Sequence, residues 1–231
     1  VHDAIVIITD GTKTEQLQEN SITDTSGYTF YFYTSDISNP LSAVTGKENT
    51  TYNLTITTDD GQEYSSTTTI PLLTKTCDSL WWEPAPPQTE DTQLCVMFGK
   101  FTDPAGLGNY IRYFTRINSD PFLPGLNSVY DDQVVDGTSY SFQFDMGWDK
   151  NSIELPDDEN YGYAHRGDTV TIKFCNIDKA SYNFWNTWEF AYQSYGNPFS
   201  SPTKVTGNIS NGALGGFCGY AAQHRTIVIP K

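Results

Sequence analysis

Imidazoles, thiols and paired carboxylates are the groups with which this chain could make or break bonds. The three histidines, His2, His165 and His224, form no HxxH or HExxH spacing, so no zinc-ligand pair is encoded. His2 lies at the start of the chain, His165 in an acidic stretch and His224 beside the last apolar run. Cys218 precedes His224 closely enough to suggest a thiol–imidazole nucleophile, but no third orienting group or oxyanion hole accompanies the pair. A GxSxG elbow is absent. The run Gly212-Ala213-Leu214-Gly215-Gly216 lacks both the Lys-Ser/Thr of a phosphate loop and the GxG of a dinucleotide turn. It reads as a tight corner that excludes a Cβ. Acidic neighbours occur at Asp59-Asp60, Asp131-Asp132 and Asp157-Asp158-Glu159. Glycoside hydrolysis needs two carboxylates at a fixed separation across a cleft, which adjacency in sequence does not supply. Calcium needs several oxygens converging in one loop; residues 156–160 offer some, without the EF-hand order. Solvated loops account for these pairs.

Binding chemistry is better represented. Trp81-Trp82 beside Glu83 forms an aromatic pair on which a sugar ring could stack or a protein partner anchor. The same pair stands just before Pro84, Pro86 and Pro87, a position that also fits a plug between two domains. Trp81, Trp82, Asp131 and Asp132 are therefore the expected ligand- or partner-binding residues. No catalytic residue, metal or cofactor is expected.

The composition sets the frame for these groups. With 231 residues the chain can bury one large core or two modest ones. Its 14% aromatic content, rich in Tyr and Phe and accompanied by much Thr and Ser, suits pleated sheets rather than helices. A formal charge of −15 disfavours nucleic acid, whose phosphates require clustered Lys and Arg, and disfavours adsorption to an anionic bilayer. No apolar run is long enough to span a membrane. The chain opens directly into the strand-like run Ala4–Ile8, without a signal peptide or a cysteine near Val1. It is expected to be a mature or trimmed product. Cys77, Cys95, Cys175 and Cys218 admit three disulfide pairings or buried free thiols, and their spacing matches no zinc site.

Periodicity predicts two β-sandwich domains, all-β in class. The first, residues 1–75, resembles a small immunoglobulin-like or carboxypeptidase-regulatory-like unit. Its expected strands are Ala4–Thr9, Tyr28–Tyr33, Thr51–Thr58 and Glu63–Ile70, the last two joined at Asp59-Asp60-Gly61 as a hairpin. Residues 71–92 read as a linker because prolines interrupt any ladder. The second domain, 76–231, is expected to hold strands at Gln93–Phe101, Asn109–Ile117, Ser128–Val135, Thr138–Asp145, Thr169–Asn176 and Thr226–Ile229, with a hairpin at Asp136-Gly137. One helix is inserted near residues 178–195. Asp178 caps it, Phe184, Trp188, Ala191 and Tyr195 form its apolar stripe, and Gly196 and Pro198 close it.

Several of these segments, in order, resemble one family. Asp78-Ser79-Leu80-Trp81, Gly99-Lys100-Phe101-Thr102-Asp103-Pro104, Gly108-Asn109-Tyr110-Ile111-Arg112 and Arg166-Gly167-Asp168-Thr169-Val170 are similar to the domain-of-unknown-function 4249 family. So are Ile177-Asp178-Lys179 with Tyr182 and Trp185, Asn197-Pro198-Phe199, and the closing Thr226–Ile229. Asp10-Gly11, Gly27-Tyr28 and Thr67–Pro71 extend the likeness through the first domain. The resemblance implies an outer-membrane lipoprotein of Gram-negative bacteria, on the cell surface or the periplasmic face, often encoded near TonB-dependent transporters. A lipid anchor is implied for the full-length protein. The habitat also implies short O-glycosylation acceptors, to which Asp78-Ser79-Leu80 and Asp168-Thr169-Val170 are similar.

The expected function is a non-enzymatic accessory module that binds an outer-membrane β-barrel partner such as a TonB-dependent transporter. The alternative is a carbohydrate-binding module using exposed aromatics. A metal-dependent hydrolase around Asp131 and Asp132 is the third reading.

Overall fold

A computed structural model describes residues 2–86, 89, 91–151, 161–195, 199 and 203–231. Within these residues the protein is mostly β, with three antiparallel sheets and one α-helix. The acidic run at residues 157–159, Pro87, Gly196 and Pro198 fall outside the described residues.

The first sheet is built from β1 (Ile5–Thr9), β2 (Thr14–Thr23), β3 (Thr29–Thr34), β4 (Thr50–Thr57) and β5 (Glu63–Ile70), in the order β3-β2-β1-β4-β5. The hairpin expected at Asp59-Asp60-Gly61 joins β4 to β5, with Tyr52 opposite Thr68 and Ile56 opposite Tyr64. Gly61 takes φ +81°, a conformation that costs glycine little and other residues much. One face of this sheet carries Val6, Ile8, Leu17, Leu54 and Tyr52, as the registers dictate. Residues 35–49 cross that face. The buried Glu15 carboxylate accepts Val44 N–H at 2.6 Å, and the Tyr52 hydroxyl accepts Lys47 N–H at 2.7 Å.

A strand occupies much of the linker expected over 71–92. Thr76–Pro84 form β6, which pairs along its length with β7 (Leu94–Thr102), and Pro84 ends it. On its other side β7 pairs with β10 (Ser139–Phe144) and then with the two-residue β11 (Ala164–His165). The third sheet runs β13-β12-β8-β9, from Ala221–Val228, Thr169–Ile177, Tyr110–Ile117 and Val129–Tyr130. The long strand expected over Ser128–Val135 thus contracts to two residues. Asp136-Gly137 makes no hairpin either, because β9 and β10 belong to opposite sheets. The last strand begins earlier than expected, at Ala221.

The second and third sheets face each other across a core of Cys77, Met97, Phe101, Ile111, Tyr113, Phe144, Val170, Ile172 and Phe174. Alternation along β12 explains the next layer. Val170, Ile172 and Phe174 point into that core, whereas Cys175 and Ile177 point outward under the helix. The helix α1 (Lys179–Ser194) lies over them, with Tyr182 and Trp185 packed down. Arg112, on the same outer face, sits 3.4 Å from the centroid of Trp185 and donates to Ser128 Oγ and the Tyr220 hydroxyl, each at 3.2 Å. Ser128 in turn donates its N–H to Glu189 on α1 at 2.9 Å. The Ser128 hydroxyl also donates to Glu189, so a buried guanidinium and a buried carboxylate are linked through one hydroxyl. The stripe ends sooner than expected, for Tyr195 is exposed and serves as the C-cap.

The free edge of β6 lies beside β13, whose side chains replace a ladder. Gln223 Oε1 accepts Cys77 N–H at 2.9 Å, and Arg225 Nε donates to Cys77 O at 3.1 Å. The four cysteines are free thiols, three of them buried.

Candidate functional site

The four residues expected to bind are separated by the fold. Trp81 and Trp82 alternate along β6 and so point to opposite faces. Trp82 packs against the core between the sheets, with the Arg166 guanidinium 4.8 Å above its ring. Trp81 lies on the outer face, stacked on Phe98 at 5.6 Å, its Nε1 donating to Glu83 at 3.1 Å. The pair forms neither a two-ring platform nor a plug between domains.

Asp132 is structural. It is buried, and Oδ2 accepts Gly108 N–H at 2.7 Å, Asn109 N–H at 2.8 Å and the Asn109 amide at 3.1 Å. Burial alone would raise its pKa, but these donors outweigh it and the net direction is down. The carboxylate braces the turn that leads into β8. Asp103 and Asp136 bring oxygens within 4.8 Å of it. The cation of this cluster belongs to the chain itself: Lys75 Nζ lies 2.6 Å from Asp103 Oδ1, and both side chains are fully buried. The approach is off-line for a hydrogen bond, so the attraction is chiefly Coulombic.

Asp131 lines two neighbouring depressions, whereas Asp132 borders only the smaller one. Asp131 stands at the rim of a cleft of about 540 Å³ between β9, β10 and the first turns of α1. Tyr130, Tyr140, Phe142 and Tyr182 supply ring faces, and Asn127 and Asn186 supply amides. Tyr130 and Phe142 stand 5.8 Å apart, and Phe142 and Tyr140 6.2 Å apart, so the rings form a continuous wall. Burial pushes the Tyr130 phenol up to about 12, and it raises Tyr140 and Tyr182 as well, so all three are neutral hydroxyls at neutral pH. A smaller depression of about 350 Å³, lined by Leu107, Tyr110 and Gln133 among others, shares Asp131. Tyr110 and Tyr182, stacked at 4.9 Å, divide the two.

A second surface was not foreseen in the sequence as a site. The β2–β3 hairpin carries apolar groups on its outer faces: Ile22 is 61% exposed, Tyr28 62% and Phe30 54%. Phe30 stands opposite Ile22, and Tyr28 packs edge-on against it at 4.7 Å. Tyr31, on the other face, stacks on His2 at 4.0 Å, and His2 Nδ1 lies 2.9 Å from Glu19. Because β3 ends the sheet, one row of its backbone groups is unpaired among the described residues as well. Residues 14–34 contain no Lys or Arg, the charges that normally protect such an edge. The signal was present in Tyr28–Tyr33, where five of six residues are aromatic and rings fall on both faces of one strand.

The residues considered for nucleophilic chemistry do not converge. Cys218 neighbours Ser181, Trp185 and Tyr220, and burial raises its pKa, whereas His224 rests on the Phe122 ring at 5.5 Å. The glycine run is a corner, as expected. Gly212 and Gly215 hold φ +74° and +136°, and a Cβ on Gly216 would lie 2.5 Å from the Phe184 ring.

The sequence profile described as domain of unknown function, DUF4249, matches residues 1–226. The chain belongs to the DUF4249 family. Comparison of this DUF4249 chain with curated proteins and with solved structures gives no match.

Proposed function

We propose that this DUF4249 chain is a non-catalytic binding module that docks on a protein partner through the β2–β3 hairpin. The partner we propose is an outer-membrane β-barrel such as a TonB-dependent transporter, and the chain is the soluble part of a lipid-anchored outer-membrane lipoprotein. The observation that carries the reading is the hairpin itself, where Ile22, Tyr28 and Phe30 form a contiguous exposed apolar surface beside an open strand edge. Surfaces of this kind are uncommon on proteins that act alone. Bilayer headgroups are the less suitable target, since the hairpin has Glu19 and Asp24 but no basic residue to meet anionic lipid. A protein face with an apolar centre and a basic rim complements it.

The test is affinity capture of full-length protein from detergent-solubilised outer membranes of the native host. One barrel protein is expected to co-purify with the native sequence and to be lost with Phe30→Ser combined with Tyr28→Ser. Equal recovery with both proteins would remove the hairpin from the reading. The carbohydrate-binding alternative no longer has Trp81 and Trp82 as its platform, and a different part of the molecule supports a sugar ligand.

A further inference from the structure

We infer that the cleft beside Asp131 is a binding site for a neutral saccharide. Its size, about 540 Å³, is that of a small-molecule pocket rather than of a packing defect. The lining sets ring faces and the aliphatic Ile111, Val129, Val134 and Val135 beside a few hydrogen-bonding groups. Tyr130 and Phe142 offer flat apolar surfaces, while Asn127, Asn186, Asp131 and the Tyr182 phenol offer both donors and acceptors. A purely apolar ligand would forgo hydrogen bonds to the exposed Asn186 amide and to the remaining sites of Asn127 and Asp131. Among the described residues an anion meets no Lys or Arg in the lining and faces Asp131 instead. The Asp131 carboxylate already accepts from the Gln133 amide at 3.0 Å, so a cation finds a partly satisfied carboxylate. A ring with an apolar face and a hydroxylated edge fits what remains. The adjoining depression, about 350 Å³ and open to the same Asp131, gives the ligand room to continue past Tyr182, so an oligosaccharide fits better than a single sugar.

This inference stands apart from the hairpin, which lies on the first sheet. Calorimetric titration of the full chain with glucose, galactose, mannose, cellotriose, maltotriose and chitotriose, alongside an array of neutral glycans, tests it. At least one oligosaccharide is expected to bind with a Kd below about 1 mM, more tightly than its monosaccharide. Asn186→Ala and Tyr182→Ala are each expected to weaken it by about tenfold or more. Trp81→Ala on the outer face of β6, and Phe30→Ser in the hairpin, are expected to leave it unchanged. Asn186 is exposed, so its truncation keeps the test sound even if Tyr182→Ala disturbs the helix. No binding across the panel and array, binding unaffected by Asn186→Ala, or tighter binding of tetramethylammonium than of any saccharide would each overturn the proposal.

Discussion

Asp178 and Thr69 are joined by a 2.7 Å hydrogen bond in which the β5 amide donates to Oδ2 of the carboxylate. The other oxygen, Oδ1, accepts Ser181 N–H at 2.8 Å and caps α1, and Thr68 Oγ1 also donates to Oδ2 at 2.9 Å. One side chain therefore starts the helix and fastens it to the last strand of the first sheet. Asp178→Ala is expected to lower stability by about 2–4 kcal/mol, the sum of a lost cap and lost bonds to a charged acceptor. Asp178→Asn, which keeps an acceptor for the cap, should fall between. Urea denaturation of the three proteins decides the matter, and a loss under about 1 kcal/mol for the alanine variant would contradict the bridge.

The Lys75–Asp103 pair allows a sharper test because both members are fully buried. Removing one charge strands the other, so Lys75→Met or Asp103→Ala alone should cost about 3–5 kcal/mol. The double variant Lys75→Met with Asp103→Leu should recover much of that loss. A double variant as unstable as the sum of the singles would show that the two groups act separately.

Substitution within the hairpin should divide stability from binding. Tyr28→Ser and Phe30→Ser remove exposed rings, so the unfolding free energy is expected to change by less than about 1 kcal/mol. Partner capture from outer membranes should nonetheless fall. A large loss of stability in either variant would mean that the rings are packed rather than presented.

Alkali should unfold the protein in a defined window. Burial pushes Tyr161 and Tyr220 up to about 12, against an unfolded value of about 10. Each raised group contributes stability that is complete below about pH 10 and lost as pH rises through about 12. Cys77 and Cys175, raised by burial to about 11 from 9.0, lose their contribution from about pH 9 upward. Lys150 acts oppositely, since burial lowers it from 10.5 to about 8 and stability rises as the unfolded chain holds the extra proton between those values. Urea midpoints measured against pH should therefore drop steeply above about pH 10. Tyrosinate absorbance should lag behind that of a tyrosine peptide until unfolding. A midpoint that is flat to about pH 12 would refute the burial of these phenols.

Parts of this fold were legible because one physical cause dominated locally. The hairpin β4–β5 combines clear alternation with an Asp-Asp-Gly turn, and Asp178 precedes a helical stripe, so each was readable from neighbours in sequence. Strand β2 was hidden because its register places Glu15 at a buried position, where a carboxylate held by Val44 stands in for an apolar side chain. Strand β6 was hidden by prolines, of which Pro84 ends it. The candidate site was less legible still. Asp131 was named, yet Asn127, Tyr140, Phe142, Tyr182 and Asn186 reach the cleft from three separate segments, and no local spacing records that convergence. The exposed rings of β3 were visible as a strand, but their exposure follows from the sheet order, which places that strand at an edge.

The passage from the first sheet to the second is buried at Lys75, whose backbone N–H and C=O are both taken by the Asn176 side chain at 3.0 and 2.7 Å. A seam that looks like the natural place to divide the polypeptide is thus part of the interior. Fragments excised at this point would carry an unsatisfied strand end and half of an ion pair, so expression of either piece alone should yield insoluble material. Any truncation intended to isolate the aromatic hairpin has to keep the sandwich beneath it.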